Sequence, residues 1–279
     1  MADPKFIHLH VHTAYSLSEG ALPIKKLAGM AKALKMPALA ATDTSNLFGA
    51  LEFSEALVEK GIQPIIGLRL RVDLAVVSDQ TKPIQTGLKH HKTIVLLAKD
   101  EDGYKNLLKL SSSSFLDVLD NAEPHVPWAK LQDCAGGLIC LTGGPEGPLN
   151  ESLVQNQITL ATHQALQLKA LFGDRLYIEL QRHNTEAEQA AESGLIEIAY
   201  DNDIPLVATN QCYFATPDDY AAHDALICIA EGEVIANDDR RRLTPEHYFK
   251  SQEEMVALFA DLPEALENTV EIAKRSPFE

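Results

Sequence analysis

The stretch "HLHVHTAYS", from His8 to Ser16, alternates three histidines with apolar residues. In a β-strand, residues two apart share a face, so the spacing predicts that His8, His10 and His12 point one way and the apolar residues face helices. Imidazole nitrogens bind zinc or manganese, but a stable site needs three or four ligands. The pattern alone fits either a metal site or a hydrogen-bonded polar layer. Glu19, in the following loop, is either a third ligand or an exposed carboxylate.

Short segments rich in β-branched and apolar residues alternate with longer segments of helical periodicity, which predicts an α/β fold. The predicted strands are Phe6–Val11, Ala38–Thr42, Pro64–Val72, Thr93–Ala98, Gly137–Leu141, Leu176–Leu180 and Pro205–Ala208. The predicted helices between them are Leu22–Leu34, Leu47–Glu59, Tyr104–Leu116, Ser152–Phe172 and Glu186–Tyr200. This order favours parallel strands joined by right-handed crossovers, in a closed seven-stranded βα barrel or, second, an open doubly wound sheet.

Polar residues end several predicted strands, among them His12, Asp43, Thr142, Glu179 to His183 and Asn210. Functional sites of parallel barrels form at the C-terminal strand ends, so these side chains are expected to converge on one mouth. Beyond residue 216 the strand pattern fades, and Asp219–Glu231 and Glu253–Lys274 read as helices. We therefore expect a barrel over residues 1–216 and a helical extension over 217–279. The polar stretch Val77–His91 is predicted to be an exposed loop.

The formal charge of -16, from 24 basic and 40 acidic side chains, argues against extensive contact with a phosphate backbone. The basic run Arg240–Arg242 follows two aspartates and is predicted to be a solvated turn. With no apolar run of membrane length and no signal-peptide core, the sequence predicts a cytoplasmic protein without membrane contact. Four scattered cysteines predict free thiols, and Cys212 in particular a buried one.

A family resemblance adds to this reading. The segments "HLHVHTAYSLSEGA", "PALAATDTSNLFGALEF", "GIQPIIGLRL", "LLAKDEDGYKNLLKLSS", "GLICLTGG", "LYIELQRH" and "PLVATNQCYF" together resemble the polymerase-and-histidinol-phosphatase (PHP) domain, in the version found in bacterial replicative DNA polymerases. The stretch "TPEHYFKSQEEM" resembles the continuation of those polymerases. The resemblance implies a distorted seven-stranded βα barrel with up to three divalent metals at the strand ends, used to hydrolyse phosphoesters.

The same resemblance implies that His10 and His12 are metal ligands and that Glu19 stands at a ligand position, whereas His183 is equally well a ligand or a strand-end cap. The other expected ligands are replaced, at Thr44, Arg69, Thr93, Gly144, Gln211 and Tyr213. His91, in the predicted polar loop, is only a remote substitute and is expected to be solvated. A guanidinium about 5 Å from a divalent ion would be repelled by roughly 6–7 kcal/mol at an effective dielectric of 20. Arg69 therefore either swings outward or takes a metal's place.

Two functions follow as expectations. The first is a PHP domain that has lost hydrolysis, supports the core of a parent polymerase that uses magnesium, and docks a proofreading exonuclease. The second is a residual metal-dependent phosphoesterase or 3′–5′ exonuclease built on His10, His12, Glu19 and His183. Under the first function, no tightly bound metal is expected, with weak zinc or manganese binding allowed, and little direct contact with DNA.

Overall fold

A computed structural model describes residues 4–74, 91–119 and 122–277. Within these ranges the chain forms a seven-stranded sheet. The strands are β1 (Ala38–Ala41), β2 (Gln63–Asp73), β3 (His91–Ala98), β4 (Val126–Pro127), β5 (Leu138–Leu141), β6 (Leu176–Leu180) and β7 (Leu206–Ala208). All predicted strands except the first match one of these to within two residues at each end. The two-residue β4 was not predicted, because so short a strand has no detectable periodicity.

The sheet is a curled, mixed one with the order β1-β2-β3-β5-β6-β7, and β4 pairs with β2. The prediction that all strands run parallel was wrong at β3, which pairs antiparallel with both β2 and β5. The remaining pairs, β1 with β2, β5 with β6 and β6 with β7, are parallel. No described helix separates β2 from β3, so the crossover needed for a parallel pair is absent from the described chain. The barrel is therefore distorted at this point.

The predicted first strand, Phe6–Val11, is extended but forms only a single bridge, from Val11 to Cys212. Its backbone bonds to two neighbours: the His8 carbonyl accepts from Ala40 in β1 at 2.9 Å, and the His12 amide donates to the Cys212 carbonyl at 3.0 Å. The segment thus joins β1 to the chain that follows β7. It delivers His10 and His12 to the C-terminal side of the sheet.

The helices of the barrel region are α1 (Ile24–Ala33), α2 (Ala50–Val58), α3 (Glu101–Leu116), α4 (Trp128–Cys134), α5 (Pro148–Val154), α6 (Ile158–Phe172) and α7 (Glu186–Asp201). The single helix predicted over Ser152–Phe172 is two helices, because the chain turns at Asn156, whose φ is +56°. The short α4 was not predicted. Residues 77–90 of the predicted exposed loop lie outside the described residues, but His91 begins β3, is half-buried and stacks on His125 with ring centroids 3.8 Å apart.

Alternate residues of the strands divide between two apolar clusters. One cluster joins the strands to helix residues such as Leu27, Leu57 and Leu107. The smaller cluster fills the concave side of the sheet with side chains such as Val95 and Leu97. Its full membership is Ile7, Leu9, Ala38, Ala40, Ile65, Val95, Leu97, Ile139, Leu141, Tyr177, Val207, Ile272 and Ala273. Ile7 and Leu9, which were predicted to face helices, lie in this smaller cluster, whose members come mainly from the strands, with Ile272 and Ala273 from a C-terminal helix.

The C-terminal region contains α8 (Tyr220–Glu231), α9 (Gln252–Leu258) and α10 (Pro263–Arg275). The predicted helix Glu253–Lys274 is divided between α9 and α10, and Pro263 opens the second, a position where its missing N–H costs nothing. Helix α10 packs against β7. None of the helices in the described ranges has both the length and the apolar character needed to cross a membrane.

Candidate functional site at the mouth of the barrel

His10 and His12 lie side by side at the mouth, with ring centroids 5.4 Å apart, and both are fully buried. His8 does not join them, contrary to the prediction of one shared face. Its ring stacks on Phe249 at 4.3 Å, and Nε2 donates to the Lys250 carbonyl at 2.8 Å. The irregular segment thus turns His8 toward the C-terminal extension and leaves two histidines at the mouth.

The lone pair on Nε2 of His12 accepts a hydrogen bond from another residue of the protein. Ser16 Oγ donates to Asp43 Oδ1 at 2.6 Å, so His12 Nδ1 must donate to Ser16 Oγ, 2.9 Å away. In a neutral ring Nε2 is then an acceptor, and Gln211 Nε2 lies 3.1 Å from it. Burial lowers the pKa of His12 well below its ordinary value, and the charges of His10 and Arg69 act in the same direction. His12 is therefore neutral, and Gln211 occupies the nitrogen that would face a metal.

His10 and His183 share an arrangement in which a carboxylate backs one ring nitrogen. Nδ1 of His10 donates to Glu179 at 2.7 Å, and Nδ1 of His183 donates to Glu188 at the same distance. Burial alone would raise the pKa of both carboxyl groups, but their histidine partners lower it. In the part of the chain that the structure describes, Nε2 of each histidine is buried without a hydrogen-bond partner. A carboxylate behind a histidine is the usual support of a metal-binding imidazole.

Glu19 has both carboxylate oxygens engaged. Thr44 Oγ1 donates to Oε2 at 2.7 Å, and Arg241 Nη1 lies 3.4 Å from Oε1. The Glu19 carbonyl accepts from His223 Nε2 at 2.6 Å. The position where the resemblance expects a histidine, Thr44, therefore supplies a hydroxyl that binds the carboxylate. Glu19 is therefore not an exposed carboxylate, and each of its two oxygens has a partner within the protein.

Arg69 is buried in the mouth, with 1% of its side chain exposed, and forms an ion pair with Glu146. Burial alone would lower the pKa of Arg69, but the Glu146 carboxylate overrides this and raises it. The charge of Arg69 in turn lowers the pKa of Glu146 to about 2. Of the two alternatives for Arg69, the outward one is wrong: the guanidinium points into the mouth, where it also lies 3.4 Å from Thr44 Oγ1.

A second cation reaches the same carboxylates. Arg241 Nη2 lies 3.8 Å from Glu146 Oε1. The prediction that Arg240–Arg242 forms a solvated turn was wrong for two of its three residues. The Arg240 side chain is 2% exposed and holds both oxygens of Asp224, at 2.7 and 2.6 Å. The Arg241 side chain is 31% exposed, and that of Arg242, the most exposed of the three, is 42% exposed.

The remaining replaced positions are filled by protein atoms. Gly144 has φ of +60°, and a Cβ added there would lie 2.6 Å from Cδ of Gln181. Tyr213 stacks on His12, with ring centroids 4.2 Å apart and planes 2° apart, and its hydroxyl accepts from Gln211 at 2.7 Å. Thr93 is buried in β3, opposite Arg71. Cys212, as predicted, is a fully buried thiol, and burial raises its pKa. All four cysteines are free and buried.

The residues present do not fit a cluster of divalent ions. Within the described ranges, no three His, Cys, Asp or Glu side chains come together closely enough to hold a metal ion. His12 and Glu19 are bound to Gln211, Thr44 and Arg241, and the two arginines place positive charge where a cation would sit. Carboxylate charge is what holds divalent ions in such sites. The mouth is an ion-pair and hydrogen-bond network made by the protein itself.

Several residues of this network were missed from the sequence. Glu146 and Glu188 were not singled out, and Glu179 was expected at the mouth only within the polar stretch Glu179 to His183, not as the partner of His10. Glu146 and Arg241 follow turns with no periodic signal. No sequence pattern would have linked them, since 95 positions (241 minus 146) separate them.

Comparison with known proteins identifies the family of this chain. Residues 8–183 match the model of the PHP domain, which covers well over half of the chain. The chain belongs to the PHP domain family.

The most similar of the relatives compared belong to one kind of protein within this family. The chain is 47% identical over 273 residues to DNA polymerase III subunit alpha of Caulobacter vibrioides, covering 98% of this chain and 23% of that protein. It is 40% identical over 274 residues to the subunit of the same name from Rickettsia bellii, covering 98% of this chain and 22% of that protein. It thus spans about a quarter of these relatives' length. An amidohydrolase structure from Chromobacterium violaceum superposes with a TM-score of 0.49 at 16% identity, covering 74% of this chain and 87% of that chain, a similarity too weak to indicate function.

Proposed function

We propose that the chain is the PHP domain of a bacterial DNA polymerase III alpha subunit, that its hydrolytic site no longer works, and that it serves as structural support within the parent polymerase. The observation that carries this proposal is the mouth itself. Arg69, fully buried and paired with Glu146, stands where the family resemblance expects an acidic ligand. A parent polymerase would carry nucleotidyl transfer in a separate region, using magnesium.

Metal content tests the loss of the site. Protein purified without chelator is expected to hold no stoichiometric zinc, manganese or iron by elemental analysis, because His12 and Glu19 are already bound within the protein. Two or three tightly held ions per chain would overturn the proposal. Zinc or manganese bound weakly and lost on dialysis is compatible with it.

A variant that restores the expected ligands provides the matched comparison. The combined change Thr44→His, Arg69→Glu, Gln211→Asp and Tyr213→His removes the buried cation and adds two imidazoles and two carboxylates. We expect this variant to bind zinc or manganese more tightly than the parent chain in a competition titration. Equal affinity of the two proteins would mean that the replaced residues do not control metal binding.

The second candidate function is a residual metal-dependent phosphoesterase or 3′–5′ exonuclease. It is favoured by the unpartnered, buried Nε2 atoms of His10 and His183, each backed by a carboxylate. We expect no turnover of a phosphodiester substrate or of single-stranded DNA, with or without added manganese. Hydrolysis that disappears in the double variant His10→Ala, His12→Ala would establish this second function instead.

The domain is also proposed to dock the proofreading exonuclease of the polymerase. The formal charge of -16 suits contact with a protein better than contact with a phosphate backbone. A replicase whose own PHP domain cannot hydrolyse mispaired ends also needs a separate exonuclease. The chain and the cognate exonuclease should form a complex in size-exclusion chromatography or calorimetry at low salt and without DNA. Failure to bind at high micromolar concentration, while the full-length polymerase binds, would place the docking site elsewhere.

A further inference from the structure

The segment of residues 237–249, between α8 and α9, lies across the mouth of the barrel and is called the latch here. Its central side chain, Arg241, reaches two carboxylates of the barrel: Nη1 is 3.4 Å from Glu19 Oε1, and Nη2 is 3.8 Å from Glu146 Oε1. It also lies 3.9 Å from Glu231, at the end of α8. One side chain of the extension is thus inserted among the charged groups of the former site.

Neutral contacts of the latch surround this ion pair. Thr244 Oγ1 donates to the His183 carbonyl at 2.7 Å, and the His247 ring stacks on His183 with centroids 3.9 Å apart. Two backbone hydrogen bonds complete the attachment: the Tyr213 amide donates to the His247 carbonyl at 2.9 Å, and the Phe249 amide donates to the Phe214 carbonyl at 3.0 Å. The latch therefore rests on the chain that follows β6 and β7.

Charge explains why a cation of the extension belongs at this place. Glu19 and Glu146 supply two negative charges, and among the described ion pairs the barrel guanidinium that contacts either of them is that of Arg69, which pairs with Glu146. Without Arg241, one carboxylate charge would remain uncompensated in a partly desolvated mouth, which is unfavourable. With Arg241, each of these two carboxylates has a guanidinium within 4 Å.

We propose that the former catalytic mouth is an electrostatic socket for the latch, and that Arg241 fixes the C-terminal extension on the barrel. The partner that fills the mouth is thus a segment of the same chain. This inference rests on the proposed loss of the metal site. Elemental analysis tests that loss, whereas the exchange experiment below tests the latch in metal-free protein, so the two can fail separately.

Amide hydrogen exchange of the 279-residue chain tests the socket. In Arg241→Met, the amides of Tyr213 and Phe249 are expected to exchange about tenfold faster than in the parent, because they bond across the latch. Arg242→Met is the matched control. Arg242 is the next residue and bonds Asp238 and the Asn237 carbonyl within the latch, without reaching the barrel in the described contacts. Its exchange at the same two amides should stay within about twofold of the parent.

Two further measurements separate charge from packing. Raising sodium chloride from about 0.05 to about 0.5 M should speed exchange of these amides in the parent but not in Arg241→Met, since salt screens a pairing that the variant lacks. Glu19→Gln keeps an oxygen for Thr44 but removes one of the carboxylate charges near Arg241, so it should speed exchange at the same two amides by less than Arg241→Met does, and the double variant should be no faster than Arg241→Met.

Three results would overturn the proposal. The first is unchanged exchange at Tyr213 and Phe249 in Arg241→Met, and the second is an equal effect of Arg242→Met. The third is an equal loss of protection in β2 and β3, which would mean that Arg241 stabilises the whole domain instead of holding the latch.

Discussion

The ion pair between Arg69 and Glu146 predicts an asymmetry between two single substitutions. Arg69 is 1% exposed, whereas the Glu146 side chain is 48% exposed. Glu146→Gln leaves a buried guanidinium without its carboxylate. Arg69→Met leaves a carboxylate that water can solvate and that Arg241 still approaches, at 3.8 Å. The more exposed partner is therefore expected to be the more damaging one to remove.

The magnitudes follow from which charge is left behind. Removing one partner of a fully buried pair costs about 3–5 kcal/mol, and solvent screening at Glu146 reduces this to about 2–3 kcal/mol for Glu146→Gln. Arg69→Met, which replaces a buried charge by an apolar side chain of similar length, should cost about 1 kcal/mol or less. With an unfolding entropy of about 2.1 cal/mol/K per residue, the difference of about 2 kcal/mol corresponds to about 3 °C in Tm for a chain of this size.

Urea denaturation and calorimetry of both variants beside the parent provide the assay. The control is the pair Lys105 and Glu101 on α3, in which the side chains are 56% and 69% exposed. There Lys105→Met and Glu101→Gln should each change the free energy of unfolding by less than about 0.5 kcal/mol. If Arg69→Met proves as destabilising as Glu146→Gln, or more so, the argument from the buried charge left behind is refuted.

Three further outcomes are expected. Because Arg69 lowers the pKa of Glu146 to about 2 in the folded state, the stabilisation is present above the ordinary carboxyl pKa and is lost as pH falls toward 2. Urea titrations from pH 5 to 2.5 should therefore show a weaker pH dependence in Glu146→Gln than in the parent. Gly144→Ala should cost about 1–3 kcal/mol, because its φ is +60° and the added Cβ meets Gln181, and adding Gln181→Ala should recover the steric part in the same denaturation assay. Thr185→Ala, which removes the N-cap of α7 and its capping box with Glu188, should cost about 1 kcal/mol by thermal unfolding, and no change would show that the cap is dispensable.

The sequence was sufficient to predict the features of the fold that depend on local residue patterns. Six strands and the major helices follow from periodicity, and the barrel and family follow from their order and motifs. Strand direction was not accessible in this way: β3 reads like its neighbours whether it runs parallel or antiparallel to β2. Two long helical patterns also concealed breaks, at Asn156 and before Pro263, although the proline was a visible signal.

In the candidate site, too, the positions of the residues could be predicted from the sequence but their contacts could not. His10, His12, Glu19, His183 and the replaced positions could be located from motifs, because each lies in a matched segment. The contacts of each side chain could not be predicted from the sequence, since they join residues far apart in the chain. The partners of Arg69 and Glu19 come from the loop before α5 and from the latch, and charge alone does not say which of many acidic or basic residues will be close.

The surviving histidines can be explained without a metal. Glu179 is fully buried and accepts hydrogen bonds from His10, from the Gly143 amide at 2.8 Å and from Thr209 at 2.5 Å. His10 is the only basic side chain among these partners, and the Glu179 carboxylate cannot reach water. Removing His10 would therefore lower the stability of the fold whether or not a metal is bound. Glu188 depends on His183 in the same way while its carboxylate also caps α7. By contrast, a residue whose only partner is a metal loses its stabilising contact when the metal is lost, so its replacement costs little. At Thr44 and Gln211 the side chains present form hydrogen bonds within the protein instead. The presence of His10 and His183 is therefore what a structural barrel would also show, so metal content and hydrolysis, and not the survival of these histidines, separate the two functions.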